Sequence, residues 1–186
     1  AIDPLCRVTA RPKGAKDTAE AVATGLSDGV LAALDGAPMV LTVLAERAAE
    51  RETDALKLAL LRLAMEADLV FDLHCDGEAL LHLYASQWQR DDAIELGADL
   101  GAMAILLEAE PGGHPFDEAC AGPWWKLRAA LVAEGPVPLA CFATTVELRG
   151  QADVNDKDAA SDAAALLRFL QRRGVIAGEP GPLPEP

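Results

Sequence analysis

The stretch Asp68-Leu-Val-Phe-Asp-Leu-His-Cys-Asp-Gly-Glu78 decides how this chain is interpreted, because a short apolar run ends there in one imidazole and several acids. A run of this length that is bounded by Gly77 predicts a buried β-strand. In α/β proteins, the residues at the C-terminal end of such a strand lie where the chemistry is placed. His74 is therefore a candidate metal ligand or catalytic base. The structural alternative is a partly buried histidine that is hydrogen-bonded at a strand end.

The composition predicts a soluble globular protein with one core. The chain has 186 residues, of which 51% are hydrophobic, so it has enough apolar surface to bury. Its formal net charge of -14 argues against binding to nucleic acid or to an anionic membrane, since both need clustered Lys and Arg. The four cysteines form no CxxC pair, so we expect no disulfide scaffold and a reducing cytoplasm.

Helices and strands are predicted to alternate along the chain, which indicates an α/β sandwich with a mostly parallel or mixed sheet. We expect an irregular arm over residues 1–14, a single α/β domain over 15–178 and a Pro-rich tail over 179–186. The predicted strands are Asp68–His74, Ala79–Tyr84, Ala102–Leu107 and Pro138–Leu148. Two helices are predicted before the first strand: Asp17–Leu34, and a longer one that ends near Glu66 with Leu56, Leu60 and Leu63 at helical spacing. Two more are predicted between the later strands: Gln89–Leu96, which Gly97 stops, and Pro123–Leu131, which has Pro at its first position. A last helix is capped by Asn155 or Asp156 and ends at Gly174, with Ala163, Leu166, Leu167 and Leu170 on one face.

Glu147 is the second unusual residue, because a carboxylate interrupts an apolar strand near its end. Its burial without a partner would be costly, so it either pairs with a cation or has a function. The alternative is a solvated Glu at the edge of the sheet. Arg149 lies two residues further on, and positions i and i+2 of a strand share a face, so it could be the partner of Glu147.

The remaining histidines and the tryptophans are weaker candidates. His82 lies inside an alternating strand and is expected to be packed or hydrogen-bonded, while His114 lies in a Gly/Pro loop that could approach a substrate. The Trp124-Trp125 pair is expected to pack in the core. A Cys75/His82 nucleophile pair is conceivable, but no third group in the sequence would orient it.

Four motifs in this order resemble the succinylglutamate desuccinylase/aspartoacylase family. They are Asp72-Leu-His-Cys-Asp-Gly-Glu78, Leu81-His-Leu-Tyr84, Gly112-Gly-His-Pro-Phe-Asp-Glu118 and Thr145-Val-Glu-Leu-Arg-Gly-Gln151. The resemblance runs from the helix before Asp68 to Gly178. It implies a zinc-carboxypeptidase-like fold, in which a mixed sheet lies between helices and one zinc ion is bound at the C-terminal edge of the sheet.

The same resemblance implies roles for individual residues. His74 matches the last of three protein zinc ligands, and Glu147 matches the general base that later protonates the leaving amine. The implied substrate is a small N-acyl amino acid or a related amide, with Arg149 as the nearest candidate for binding its carboxylate. The loop that contains His114 would border the substrate. A homo-oligomer is compatible with this interpretation.

The sequence departs from the family pattern at the first two zinc ligands. The family takes them from a Gly-His-Gly-x-Glu type motif far upstream, and an Asn-Arg pair follows it, whereas no His precedes His74 in this sequence. Three explanations stay open. Further N-terminal sequence could carry these ligands, the protein could be a non-catalytic α/β binding or assembly module that has lost the metal, or a partner chain could supply them.

Overall fold

The structure of the protein is a computed structural model, and it describes residues 51–64, 67–109, 115–130, 139 and 141–185. The helices are α1 Glu52–Ala64, α2 Arg90–Leu100, α3 Phe116–Ala130 and α4 Asp156–Arg172, with a short 3-10 helix at Gln87–Gln89. The strands are β1 Leu69–Asp76, β2 His82–Ser86, β3 Ala104–Glu108 and β4 Phe142–Gly150. The predicted arm over residues 1–14 and the predicted helix Asp17–Leu34 lie outside the described residues. Within the described ranges, no helix has the length and apolar composition needed to cross a membrane.

The four described strands form one mixed sheet in the order β1-β4-β2-β3. β1 is parallel to β4 and β2 is parallel to β3, while β2 and β4 are antiparallel. The C-terminal ends of β1 and β4 therefore meet the N-terminal ends of β2 and β3 at one edge of the sheet. The α/β fold class with a mixed, mostly parallel sheet is confirmed.

Helices cover both faces of this sheet, as the alternation of side chains along the strands requires. One face packs against α2 and α4 around Leu83, Leu96, Val146 and Phe169, none of which is exposed. The other face packs against α3 and the end of α1 in a smaller cluster of Ala64, Cys120, Ala121, Cys141 and Ala143. We call these the α4 face and the α3 face. Leu56, Leu60 and Leu63, which were predicted at helical spacing, lie within α1, and all three side chains are exposed.

Helix α2 continues past the residue that was predicted to stop it. Gly97 is inside the helix, and the left-handed residue that ends α2 is Gly101, with φ of 68°. A Cβ on Gly97 would lie 2.7 Å from Ile105 Cδ1 and 3.3 Å from Leu83 Cδ1. Gly97 is therefore required for close packing of the helix on the sheet.

Helix α3 begins earlier than predicted, at Phe116, so that Pro123 lies inside it. The carbonyl of Pro115 accepts a hydrogen bond from the amide of Ala119, and two acids, Asp117 and Glu118, occupy the first turn. Acidic residues there interact favourably with the positive end of the helix dipole. These residues, rather than Pro123, mark the start of the helix.

Asn155 caps α4 as predicted, because its Oδ1 accepts a hydrogen bond from the amide of Asp158 at 2.9 Å. The predicted apolar face of α4 was wrong by one residue, since the buried residues are Asp162, Ala165 and Phe169, and Leu167 is exposed. An arginine explains how a carboxylate can be buried there: Asp162 accepts hydrogen bonds from Arg149.

A second buried carboxylate fixes α4 against α2. Asp99 is inaccessible to solvent, and Arg172 donates to both of its carboxylate oxygens, from Nε at 3.1 Å and from Nη2 at 3.0 Å. Arg168 donates to the Asp99 carbonyl at 2.8 Å. This charged cluster specifies how the two helices lie on their face of the sheet.

An irregularity separates the last residues of β4 from the regular strand. From His74 to Asp76 β1 advances two residues, whereas the paired β4 advances three, from Glu147 to Gly150. Such a bulge re-aims the side chain at the extra residue. Arg149 lies in it with φ of 105°, a backbone conformation that non-glycine residues seldom adopt.

Gln89 extends the hydrogen bonding of the sheet beyond the end of β2. Its Nε2 donates to the carbonyl of Cys141 and its Oε1 accepts from the amide of Ala143, while the side chain is buried. The carboxamide thereby occupies the place of a strand residue at the start of β4.

Candidate active site at the sheet edge

Two rows of side chains cross the α3 face near the sheet edge. The row at the edge contains His74, Glu147 and His82, which are register partners on β1, β4 and β2. The inner row contains Asp72, Thr145 and Tyr84 in the same register. Paired residues on neighbouring strands project from the same face, so the fold brings together His74 and Glu147, the two residues to which the sequence assigned the chemistry.

The imidazole of His74 lies between two carboxylates. Its Nε2 is 3.1 Å from Asp72 Oδ1, and its Nδ1 is 3.9 Å from Glu147 Oε1. A carboxylate close to one ring nitrogen favours a proton on that nitrogen and directs the opposite one outward. The distance of 3.9 Å is too long for a hydrogen bond, so Nδ1 keeps its lone pair for another partner.

Glu147 is the less exposed member of this pair, with 13% of its side chain accessible against 50% for His74. Its Oε2 is buried and has no hydrogen-bond partner among the described residues. A buried carboxylate oxygen without a partner is costly, so this atom is expected to contact a ligand or a water.

Sequence reasoning assigned no separate role to two acids beneath this pair. Asp72 lies two residues before His74, and the period of two in a strand could have identified it as the neighbour of the imidazole. Asp117, in the first turn of α3, is buried, and its Oδ1 has no hydrogen-bond partner in the part of the chain that the structure describes. Burial raises the pKa of the Asp117 carboxyl, the Asp72 carboxylate adds to this, and a hydrogen bond with the Thr145 side chain opposes it.

His82 is hydrogen-bonded, as predicted. Its Nδ1 lies 2.8 Å from the carbonyl oxygen of Leu80, and its ring meets Tyr84 edge-on, with 5.2 Å between the ring centroids. The contact with Leu80 fixes the orientation of the ring. His82 therefore stands beside Glu147 in register with one ring nitrogen already occupied.

Arg149 is not brought to Glu147. Its Nη1 donates to Asp162 Oδ2 at 2.7 Å and its Nη2 donates to Asp162 Oδ1 at 3.0 Å, so the guanidinium is paired with a carboxylate of α4. The bulge explains the difference, because the rule that i and i+2 share a face holds only in a regular strand. The substrate-binding role of Arg149 stays a prediction.

The other candidates contribute less to this arrangement. His114 lies outside the described residues, and its role stays a prediction. Trp124 packs against the α3-face cluster, and Trp125 stacks on Trp88 with 6.2 Å between ring centroids. Cys75 is exposed, and alternation along β1 directs it away from the face that carries His82.

An open groove of about 660 Å³ lies at the same edge of the sheet. It is formed by the loops after β1, α2 and β4, and its lining includes Leu80, Met103, Arg149 and Asn155. His74 and Glu147 do not line it. The groove is therefore a neighbour of the candidate site rather than the place where the two residues meet.

The described residues fit part of a zinc site. His74 offers a free ring nitrogen oriented by a carboxylate, which is a frequent arrangement around zinc, and the unpartnered oxygen of Glu147 lies beside it. Three ligands are needed, and no group of three His, Cys, Asp or Glu side chains that could hold a metal ion occurs within the described ranges. These ranges therefore supply one candidate ligand and one candidate base.

Similar folds are found among solved structures. A protein from Shewanella frigidimarina NCIMB 400, provisionally described as a succinylglutamate desuccinylase/aspartoacylase, is 27% identical over 89% of this chain and 45% of its own, with a TM-score of 0.69. A protein from Shewanella amazonensis SB2B, provisionally described as a member of the same family, is 27% identical over 91% of this chain and 46% of its own, with a TM-score of 0.71. The chain spans about half the length of these proteins. No protein-family model and no curated protein sequence matches it.

The fold and this similarity define the class: an α/β protein with the zinc-carboxypeptidase-like fold of the deacylases. More particularly, the chain resembles the succinylglutamate desuccinylase/aspartoacylase family, as its motifs predicted.

Proposed function

We propose that this chain carries the acid–base part of a zinc-dependent deacylase that acts on small N-acyl amino acids or related amides. The observation that supports this most strongly is the pairing of His74 Nδ1 with Glu147 Oε1 at 3.9 Å, beside a buried and unpartnered Glu147 Oε2. A pair that served only the fold would be expected to satisfy its buried oxygen. The similarity to the two Shewanella proteins makes this chemistry the one to test first.

In this proposal His74 is one of the ligands of a single zinc ion, which it binds through Nδ1. Asp72 holds the opposite nitrogen and keeps the ring in one orientation. In zinc hydrolases the ion polarises the substrate carbonyl and lowers the pKa of a water to about 7. The remaining ligands come from residues beyond the described ranges, from further sequence or from a partner chain.

Glu147 moves the proton. Its carboxylate takes a proton from the attacking water as the carbon–oxygen bond forms, and then delivers it to the nitrogen as the carbon–nitrogen bond breaks. The products are a carboxylic acid and an amine, which together hold both hydrogens of the water. At neutral pH the acid gives its proton to the amine, so a carboxylate and an ammonium group leave, and atoms and charge balance without a further reactant. The low exposure of Glu147 keeps bulk water from competing for this proton.

The other assignments follow from this proposal. The partner is a small molecule, with neither nucleic acid nor a membrane expected for an acidic chain, and the compartment is the cytoplasm. Residues 15–178 would form one α/β domain. Arg149 could bind a substrate carboxylate only by leaving Asp162, which makes this role the least supported of the four site assignments.

The test is metal analysis of the purified chain after incubation with zinc, combined with an assay of amine release from N-acyl amino acids. Stoichiometric zinc that is lost in the His74→Ala variant supports the proposal. The His82→Ala variant is the matched control, and it should retain the metal because the proposal assigns zinc ligation to His74 and not to His82. Folded protein that binds no zinc would instead support a non-catalytic binding or assembly module, whereas zinc binding that survives His74→Ala would rule out His74 as a ligand. Measuring molecular size with and without zinc tests whether a partner chain completes the site.

A further inference from the structure

His82 occupies the third position of the edge row, yet the proposed mechanism does not use it. It is the register partner of Glu147 on the opposite side from His74. Leu83 and Ala85 are buried in the α4 face, so alternation places His82 and Tyr84 on the α3 face with Glu147. Side chains paired in this way have Cβ atoms about 5 Å apart. A group bound by Glu147 would therefore also lie near the imidazole of His82.

The contact with Leu80 determines which role each ring nitrogen can take. A carbonyl oxygen only accepts hydrogen bonds, so Nδ1 of His82 must be the donor in the 2.8 Å contact. In the neutral ring Nε2 then carries no proton and can only accept. The edge-on contact with Tyr84 holds the ring plane, which leaves Nε2 as the nitrogen available to a ligand.

The surroundings favour a ligand that donates hydrogen bonds. Three carboxyl groups lie in this region. Asp72 and Glu147 belong to the two rows, and Asp117 belongs to the helix turn that covers them. The arginine nearest along the chain, Arg149, is directed to Asp162 on the other face. A row that combines these acceptors with Nε2 is complementary to N–H groups rather than to an anion.

We infer that His82 is a specificity residue that accepts a hydrogen bond from the N–H of the scissile amide, and afterwards from the departing amine, through Nε2. This inference rests on the proposed deacylase function, because it places the nitrogen that Glu147 protonates. It defines the substrate class more narrowly: secondary amides are accepted, whereas N-methylated amides lack the required donor. His82 forms only a hydrogen bond in this step and transfers no proton.

The first experiment compares kcat/KM for an N-acyl amino acid and for its N-methyl analogue in three proteins. His82→Phe keeps an aromatic ring against Tyr84 and removes both nitrogens, whereas His82→Gln keeps an acceptor oxygen. The loss of one hydrogen bond should lower kcat/KM for the secondary amide about 3- to 10-fold in His82→Phe and leave the N-methyl analogue unchanged. His82→Gln should recover part of the loss. Equal effects of His82→Phe on both substrates would overturn the inference.

The second experiment needs no turnover and so separates this inference from the proposed function. The histidines are labelled with ¹⁵N, and the imidazole resonances of His82 are identified by their absence from His82→Phe. We expect a protonated Nδ1 and an unprotonated Nε2, and the Nε2 resonance should shift on addition of the N-acyl amino acid but not of its N-methyl analogue. A protonated Nε2, or the same response to both compounds, would overturn the inference even if Glu147 proves to be the general base. The expected shifts in a chain without hydrolytic activity would refute the proposed function alone.

Discussion

Two side-chain pairs stand two residues apart on β4, and they differ in how close the partners lie and in how fully the carboxylate oxygens are satisfied. Arg149 and Asp162 form a two-pronged ion pair with distances of 2.7 and 3.0 Å, in which both carboxylate oxygens are satisfied. Glu147 and His74 remain 3.9 Å apart, and one carboxylate oxygen has no partner in the described part of the chain. The first pair joins the sheet to α4, and the second lies on the α3 face of the sheet.

The contrast separates stability from chemistry. A saturated ion pair holds the fold and has nothing left to offer a ligand. A buried carboxylate oxygen that no protein group satisfies costs free energy, and this cost is offset when a ligand binds to it. The bulge at Arg149 allows both pairs to occur within three residues, because it sends the two side chains to opposite faces.

The largest effect is expected for Glu147→Gln. The amide cannot take a proton from water, so hydrolysis should fall by about 100- to 10,000-fold. Zinc binding and the free energy of unfolding should not fall, because Glu147 makes no hydrogen bond through Oε2 that the substitution would break. Steady-state kinetics and chemical denaturation measure the two properties. If activity is retained, Glu147 is not the general base.

The opposite result is expected for Asp162→Ala, which leaves the guanidinium of Arg149 partly buried without its partner. The free energy of unfolding should fall by about 2 to 3 kcal/mol, while hydrolysis by the folded fraction changes little. A double-mutant cycle with Arg149→Ala isolates the pair, since both single variants keep a Cβ at the unusual backbone angle. A coupling energy near zero would show that the pair does not join β4 to α4 energetically.

A smaller loss is expected for Gly97→Ala on the same face. The new Cβ would approach Ile105 Cδ1 to 2.7 Å, so the Ile side chain must move. Overpacking typically costs about 1 to 3 kcal/mol, and better helix propensity returns about 1 kcal/mol. We expect a net fall of about 1 kcal/mol by urea denaturation. The control is Ala98→Gly, one residue further along α2, which costs helix propensity without overpacking. A more stable Gly97→Ala variant would mean that α2 can move away from β3.

A loss of about the same size is expected for Asn155→Ala, which removes the cap of α4 without touching the Arg149 pair. Loss of the hydrogen bond to the Asp158 amide should cost about 1 kcal/mol of unfolding free energy. Asn155→Ser keeps a capping oxygen and should recover most of the loss. If both substitutions cost the same, the cap does not hold the helix that carries Asp162.

The fold could be predicted from the sequence wherever local signals agree. The strands around His74 and Glu147 and the cap at Asn155 depend on composition and spacing close in the chain, and the structure has them. The prediction that Gly97 ends the helix was wrong. The sequence alone does not distinguish a glycine that ends a helix from one that allows a helix to pack closely on a neighbouring strand. Only the distance to Ile105, a contact between separate elements, distinguishes them.

The candidate site was predictable in part for the same reason. His74 and Glu147 were identified as strand-end residues, but their meeting depends on β1 and β4 being neighbours, which no local pattern specifies. The side of the sheet from which Arg149 projects could not be predicted. A bulge of one residue moves a side chain to the opposite face of the sheet, and the amino-acid composition carries no signal of it. Asp117 was missed because its burial depends on α3 beginning at Phe116.

The carboxamide of Gln89 has a consequence for the shape of the sheet. A primary amide carries the same donor and acceptor as a peptide unit, so a single side chain can replace one rung of the ladder. β2 is five residues long and β4 is nine, yet the start of β4 is hydrogen-bonded to the side chain that follows β2. The chain can therefore turn out of the sheet into α2 early, while the central strand keeps a neighbour on that flank.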